Sequence, residues 1–293
     1  AAANMILSRY VNSGTVEQEV AELKDYWHSK LENFSVKTPS EEFNNMINVW
    51  NSYQCFITFT WSRAASLIYC GLRNGYGYRD TVQDIQGIIH LDPEMALDKI
   101  RFMISAQVDN GGGLPLVKFN HNAGHEDTPD QASYVQATGH PSYRADDALW
   151  LFPTVYKYIG ESGNKAFLDE EILYANGGSD SVYDHLKRAI NFSMERLGAH
   201  AMPAGLYADW NDCLRLGADG ESTFVAMQFY YALLISKEFA VYKNDTEYSL
   251  WLDDQIKDMK EKIQTLCWDT DRFIRGYTET GERIGAPEDP EAN

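Results

Sequence analysis

Cysteine is scarce in this chain, and cationic side chains are few for its size. Four cysteines (Cys55, Cys70, Cys213 and Cys267) are scattered over 293 residues. They show neither the short paired spacing of a metal knuckle nor the density of a disulfide framework, so reduced thiols in a cytoplasmic protein are the simplest reading. Lys and Arg number 25 against 43 Asp and Glu, a formal net charge of −18. Such a surface repels nucleic acid and anionic membranes. It repels phosphate as well, so any phosphate chemistry needs a local basic pocket. No continuous apolar run reaches bilayer length. The opening residues Ala1-Ala2-Ala3-Asn4-Met5 show no basic segment followed by an apolar stretch, so no signal peptide is read there. The sequence lacks a Gly-x-Ser-x-Gly elbow, a P-loop and a His-Glu-x-x-His pair. That removes the common serine-hydrolase, kinase and metalloprotease readings.

Helical periodicity and aromatics are abundant instead. Apolar residues recur every three to four positions over 16–31 (Val20, Leu23, Trp27, Leu31), which predicts an amphipathic helix. Ser40 ahead of Glu41-Glu42 predicts a second helix start, and Leu91-Asp92-Pro93 a third, running to residue 106. Further helices are predicted over 145–158, 182–197, 224–242 and 248–266, about seven or eight in all. Strand signals are sparse. Long polar stretches at 109–142 and 198–220 interrupt the helices, and loops of that length inside a compact domain usually carry function. The expected fold is all-α, a partial (α/α)6 barrel or α-toroid. Residues 1–38 are expected to form a linker helix region and 39–293 the barrel domain. A closed double ring of six hairpins needs about twelve helices, so the barrel is expected to be truncated at its C-terminal end.

Two segments mix charge, aromatics and glycine in a way that suits a sugar pocket better than a helical core. One is Arg73-Asn74-Gly75-Tyr76-Gly77-Tyr78-Arg79-Asp80, continuing to Asp84; the other is Ala208-Asp209-Trp210-Asn211-Asp212-Cys213-Leu214. Carboxylates and guanidinium groups bind hydroxyls, while flat rings cover the apolar faces of a sugar. Asp212 is the first candidate for a general acid. An indole beside a carboxyl desolvates it and raises its pKa, keeping a proton available near neutrality. The plainer reading makes Asp209 and Asp212 an Asx-turn or cap pair around a buried Trp, and spacing does not say which of the two would be the acid. Asp80 can accept hydrogen bonds from sugar hydroxyls with Arg79 or Arg63 completing the network; the plainer reading is a structural ion-pair cluster at a helix start. His121, His125 and Glu126 have the residue types of a metal site, but their glycine-rich loop favours solvated histidines, and no metal is called. Asp146-Asp147 reads as a first helical turn favoured by the helix dipole, with one of the pair facing the pocket.

At these residues the chain resembles the inverting glycoside phosphorylases of the cellobiose and chitobiose type, glycoside hydrolase family 94. The resemblance rests on Gly-Tyr-Arg-Asp-Thr-Val-Gln-Asp (77–84), Asp-Asp-Ala-Leu-Trp-Leu (146–151) and Ala-Asp-Trp-Asn-Asp-Cys-Leu (208–214). It implies phosphorolysis of a β-linked disaccharide or oligosaccharide to an α-sugar 1-phosphate with inversion. Inorganic phosphate is then co-substrate and nucleophile, with no organic cofactor or metal. By motif position the acid falls on Asp212, Trp210 lines the site, and Arg63, Arg73, Arg79 and Asp80 hold the sugar that becomes the phosphate ester. The family's phosphate-binding His and Thr-Gly are expected beyond residue 293, so the chain alone is expected to be weak or inactive. Cellobiose-type members differ around Arg73-Asn74, which leaves chitobiose, laminaribiose, cellobionic acid and β-1,2-glucan open. A homodimer is implied by family analogy alone. Two alternatives stand beside this reading: an inverting hydrolase on the same barrel, and a non-catalytic carbohydrate-binding or glucan-synthase-associated module.

Overall fold

The computed structural model describes residues 2–11, 13–61, 75–140 and 142–289. Helices α1 (Ala2–Arg9) and α2 (Ser13–Leu31) come first. No residue of α2 is fully buried; it meets the body through Trp27, edge-on to Phe56 at 5.8 Å between ring centroids, and through a Lys30–Asp92 ion pair. Helix α3 (Glu41–Asn45) starts where the sequence places it, with Ser40 accepting from the Phe43 amide. It passes through a π turn (Met46–Asn51) into α4 (Ser52–Trp61).

Strand β1 (Gly75–Gly77) leads directly into α5 (Tyr78–Ile85), and β1 pairs antiparallel with β2 (Leu116–Lys118). A Cβ at Gly75 would lie 2.4 Å from the Val117 carbonyl oxygen, so only glycine permits this pairing. The pairing thereby fixes where α5 begins, and with it the position of Arg79. Tyr78, Val82 and Ile85, spaced on one helical face, are fully buried. Helix α6 (Pro93–Ile104) is capped by Asp92, with Pro93 in its first turn. The polar stretch after it holds β2 and a short α7 (Ala132–Thr138) that ends on left-handed Gly139.

Helix α8 (Leu151–Ser162) follows a 3-10 turn (Ala148–Trp150) and so begins later than the periodicity predicts. The hairpin β3 (Glu171–Leu173) and β4 (Ser179–Ser181) leads into α9 (Val182–Met194), capped by Ser181. Strand β5 (Glu221–Ser222) opens α10 (Thr223–Lys243), followed by α11 (Thr246–Lys262). The tail forms β6 (Trp268–Asp269) with β7 (Arg272–Phe273), then β8 (Gly276–Tyr277) and β9 (Arg283–Ile284). Strand β8 lies between β5 and β9, so the tail returns to the start of α10.

The fold class is all-α, as expected of an (α/α) toroid: α4 packs on α5, α5 on α6 and α6 on α8, and α10 packs on α8, α9 and α11. Among the described residues α10 alone is long and apolar enough to cross a bilayer, with 21 residues at mean hydropathy 1.2. The sequence reading finds no such run. Packing accounts for it: Val225, Phe229, Leu233 and Phe239 of α10 are sealed in the core, and each large apolar side chain so buried contributes about 1.5–3 kcal/mol.

Candidate active site

Arg79, in the first turn of α5, is the hub. Its guanidinium is nearly buried and reaches three partners from distant segments. Nη1 donates to Asp146 Oδ1 at 3.1 Å and to the Asp209 carbonyl at 2.5 Å, while Nη2 donates to Asp212 Oδ1 at 2.5 Å. One side chain thus ties the first sequence motif to the third, 133 residues apart. Asp146 is fully buried, and its other oxygen accepts from Trp150 Nε1 at 3.0 Å.

A second arginine, Arg144, donates through Nε to the same oxygen of Asp212 at 3.1 Å. Backbone pairing puts it there. Arg144 bridges Leu206, the Ala145 amide donates to the Ala208 carbonyl at 3.1 Å, and the Tyr207 amide donates to the Tyr143 carbonyl at 3.3 Å. The segment ahead of α8 is zipped to the entry of the Trp-Asn-Asp loop.

The two aspartates that spacing leaves equivalent have different surroundings. Asp209 is sealed: its Oδ2 accepts from Ser222 Oγ at 2.6 Å and pairs with Arg275, and its Oδ1 accepts from the Asn211 amide at 2.8 Å. That last bond is the Asx turn of the plainer reading, followed by a second from the Cys213 amide to Asn211 Oδ1 at 3.0 Å. The Asp212 side chain is 57% exposed. Asp209 therefore anchors the loop, and Asp212 is the carboxyl a ligand can reach.

The ionisation of Asp212 departs from the sequence reading. Partial burial pushes its carboxyl up, but the charges of Arg144 and Arg79, with their hydrogen bonds, outweigh burial and hold it below the usual carboxylate range. Trp210, expected to desolvate it, is itself 48% exposed. Trp210 instead lines a cavity of 390 Å³ with Phe224, Met227, Phe273 and Arg275.

Asp146 and Asp147 do not form the first helical turn read from sequence, which starts after them. Both are buried, and the Asp147 side chain caps nothing. Both oxygens of Asp147 and the buried hydroxyl of Tyr78 have no hydrogen-bond partner among the described residues. Burial, then the neighbouring charge of Asp146, pushes the Asp147 carboxyl up to about 7. The histidine loop differs from expectation at His121, whose side chain is buried rather than solvated, with Nδ1 3.3 Å from Glu126 and Nε2 3.1 Å from the Ser105 carbonyl; His125 is exposed, as expected.

Of the six residues the sequence singles out, Arg79 and Asp212 meet directly. Asp80 is half-buried on the turn beside Arg79, and Trp210 adjoins Asp212 in the loop. Arg63 and Arg73 lie outside the described residues. Sequence reasoning misses Arg144 and Arg275 as site residues. Arg144 stands in plain view beside two acids, and a lone cation there is the available signal. Arg275 carries none, because its role depends on the β8 hairpin folding back on β5.

The family model for the glycosyl hydrolase 94 superfamily, catalytic domain, matches residues 26–293. The chain belongs to this superfamily. It is 36% identical over 294 residues to an N,N'-diacetylchitobiose phosphorylase of Vibrio proteolyticus, covering 96% of the chain and 37% of that protein. It is 27% identical to a solabiose phosphorylase of Paenibacillus borealis, covering 99% of the chain and 35% of the relative. It is also 27% identical to the cyclic beta-(1,2)-glucan synthase NdvB of Rhizobium meliloti, covering 92% of the chain but 10% of that protein. The chain thus spans little more than a third of the length of the phosphorylases it matches.

Proposed function

We propose that this chain carries the acid side of an inverting glycoside phosphorylase site acting on a β-linked disaccharide. The observation that supports it best is the accessible Asp212 carboxyl, fixed by two arginines in a loop that a sealed Asp209 holds rigid. In this reading Asp212 gives its proton to the glycosidic oxygen as the bond from that oxygen to C1 breaks. A phosphate oxygen forms the new bond to C1 from the opposite face. The products are an α-sugar 1-phosphate and a free sugar, and Asp212 recovers a proton from phosphate or solvent. Because phosphate is the nucleophile, no second catalytic carboxylate is required, whereas an inverting hydrolase needs one to activate water.

Trp210 covers an apolar sugar face, and Arg63, Arg73, Arg79 and Asp80 bind hydroxyls of the sugar that receives phosphate. Phosphate serves as co-substrate, with no metal or organic cofactor. Identity to the Vibrio enzyme makes N,N'-diacetylchitobiose the first substrate to try. The test uses the protein at its natural length and a panel of β-linked disaccharides, with and without phosphate. Phosphate-dependent α-sugar 1-phosphate that disappears in Asp212→Asn is the expected result. Free sugar released equally without phosphate overturns it in favour of a hydrolase. Sugar binding without turnover overturns it in favour of a non-catalytic module.

A further inference from the structure

Strand β1 is Gly75-Tyr76-Gly77, so Tyr76 supplies its one side chain. Neither glycine has room for another: a Cβ would stand 2.4 Å from the Val117 carbonyl oxygen at Gly75 and 2.8 Å from Asp80 Oδ2 at Gly77. This strand nonetheless sets the start of α5, and Arg79 follows it by two residues. Whatever anchors Tyr76 therefore anchors Arg79. The Tyr76 ring meets Phe119 edge-on at 4.9 Å between centroids and Phe102 edge-on at 5.7 Å. The ammonium of Lys99 lies over the same ring, 4.3 Å from its centroid, and 5.5 and 5.6 Å from the centroids of Phe102 and Phe59. One cation thus joins α4, α6 and β1.

The surroundings of Lys99 are not those of an ordinary surface lysine. It is half-buried, and its neighbours at helical spacing, Met95, Ala96, Phe102 and Met103, offer no acid. Asp98 beside it pairs with Arg101. Among the described residues Lys99 forms no ion pair and no hydrogen bond; its partners are the three rings. A cation over an aromatic face is held by the ring's quadrupole, and the hold strengthens as water is excluded. We propose that Lys99 is a positioning residue: its ammonium pins Tyr76 and, through β1, fixes Arg79 at the candidate active site. The effect on turnover rests on the phosphorylase reading given above. The three hydrogen bonds of Arg79, to Asp146, to the Asp209 carbonyl and to Asp212, all depend on where α5 begins, and small displacements of a positioning group cost much in rate.

Four substitutions separate the charge from the packing. Lys99→Met keeps an apolar stem of similar length and removes the cation. Lys99→Arg keeps a cation that stacks on aromatic faces. Tyr76→Phe keeps the ring face, and Tyr76→Leu removes it. Each leaves Arg79, Asp212 and the loop that carries Asp212 unchanged in sequence.

The experiment uses the protein at its natural length. Hydrogen exchange of the Tyr78 amide, which donates to the Pro115 carbonyl at 3.3 Å, reports opening of the β1 pairing without reference to activity. KM and kcat for phosphorolysis are measured in parallel. In Lys99→Met, exchange is expected to quicken by about 3–30-fold, the factor an ordinary cation–π contact represents. KM should rise by a comparable factor with kcat changed less, because Arg79 grips the sugar in the reading above. Lys99→Arg and Tyr76→Phe should match the parent in both readouts. Tyr76→Leu should reproduce the defect, and Lys99→Met should add nothing on top of it; Tyr76→Leu carries the test if the Met variant does not fold. Unchanged Tyr78 exchange in Lys99→Met overturns the proposal. So does a Lys99→Arg variant as impaired as Lys99→Met, or a fall in kcat at constant KM, the mark of a smaller folded fraction. Full phosphorolysis by Asp212→Asn overturns the phosphorylase reading of the acid alone, and Tyr78 exchange then decides the pin.

Discussion

Replacing Asp147 with Asn should stabilise this protein, and more so as pH rises. Asp147 is buried, with both carboxyl oxygens lacking a hydrogen-bond partner among the described residues, and burial together with Asp146 pushes it up to about 7. The sign follows from proton linkage. A carboxyl raised on folding binds its proton more tightly in the folded than in the unfolded chain. The folded state is therefore not penalised below pH ~4, loses stability as pH climbs through the window up to about 7, and bears the full penalty above it. At 1.36 kcal/mol per pH unit, the loss across that window is at most about 4 kcal/mol. Asn keeps the shape and removes the charge. Unfolding free energies of parent and variant, from urea titrations at pH 5, 6, 7 and 8, should diverge in favour of the Asp147→Asn variant up to about pH 7 and level off by pH 8. Every other titrating group is common to both proteins. Among these Asp146, which burial also pushes up, feels the substitution directly; relieving its neighbour's charge acts in the same direction. A constant difference between pH 5 and pH 8, or a variant that loses ground at pH 8, refutes the reasoning.

Further outcomes follow from the same geometry. Asp212→Asn should lower kcat for phosphorolysis by about 10²–10⁴-fold, the usual worth of a positioned general acid, with little change in the thermal midpoint because the side chain is half exposed. Arg275→Ala strips the ionic partner from sealed Asp209 and should cost about 3–5 kcal/mol in denaturant titrations, reducing turnover as well because Asp209 holds the loop that presents Asp212. Gly75→Ala drives a Cβ into the Val117 carbonyl oxygen; it should destabilise by about 1–3 kcal/mol and raise KM, since the β1–β2 pairing positions Arg79.

What can be read from the sequence is local. Ser40 and Asp92 announce their helices because a cap bonds an amide three residues on. Helix α10 is legible from its length and apolar content. The sequence misplaces the start of α8 because Asp146 and Asp147 look like ordinary first-turn acids; only Arg79, 67 residues earlier, reveals that Asp146 is turned inward. The short tail strands escape notice because two residues carry no period to detect. His121 looks solvated in its glycine-rich loop, yet Ser105 and Glu126 enclose it.

The division between the two loop aspartates shows where sequence reading reaches its limit. Asp209 and Asp212 share a loop, flank the same Trp-Asn pair, and carry identical chemistry. Their difference comes from Ser222 and Arg275, and Arg275 sits 66 residues beyond Asp209 on a hairpin whose register is set by β5. Once Arg275 neutralises Asp209 inside the protein, that carboxylate has no route to a ligand, and the role of reachable acid passes to Asp212. A tertiary pairing of the same kind places Arg144 on Asp212 and inverts the ionisation that a neighbouring indole suggests. A motif therefore identifies the loop that does the chemistry, while the charges that tune it arrive from segments that no local pattern connects. If the acid of this site is controlled, that control resides in Arg79 and Arg144, and the pH profile is where it becomes visible.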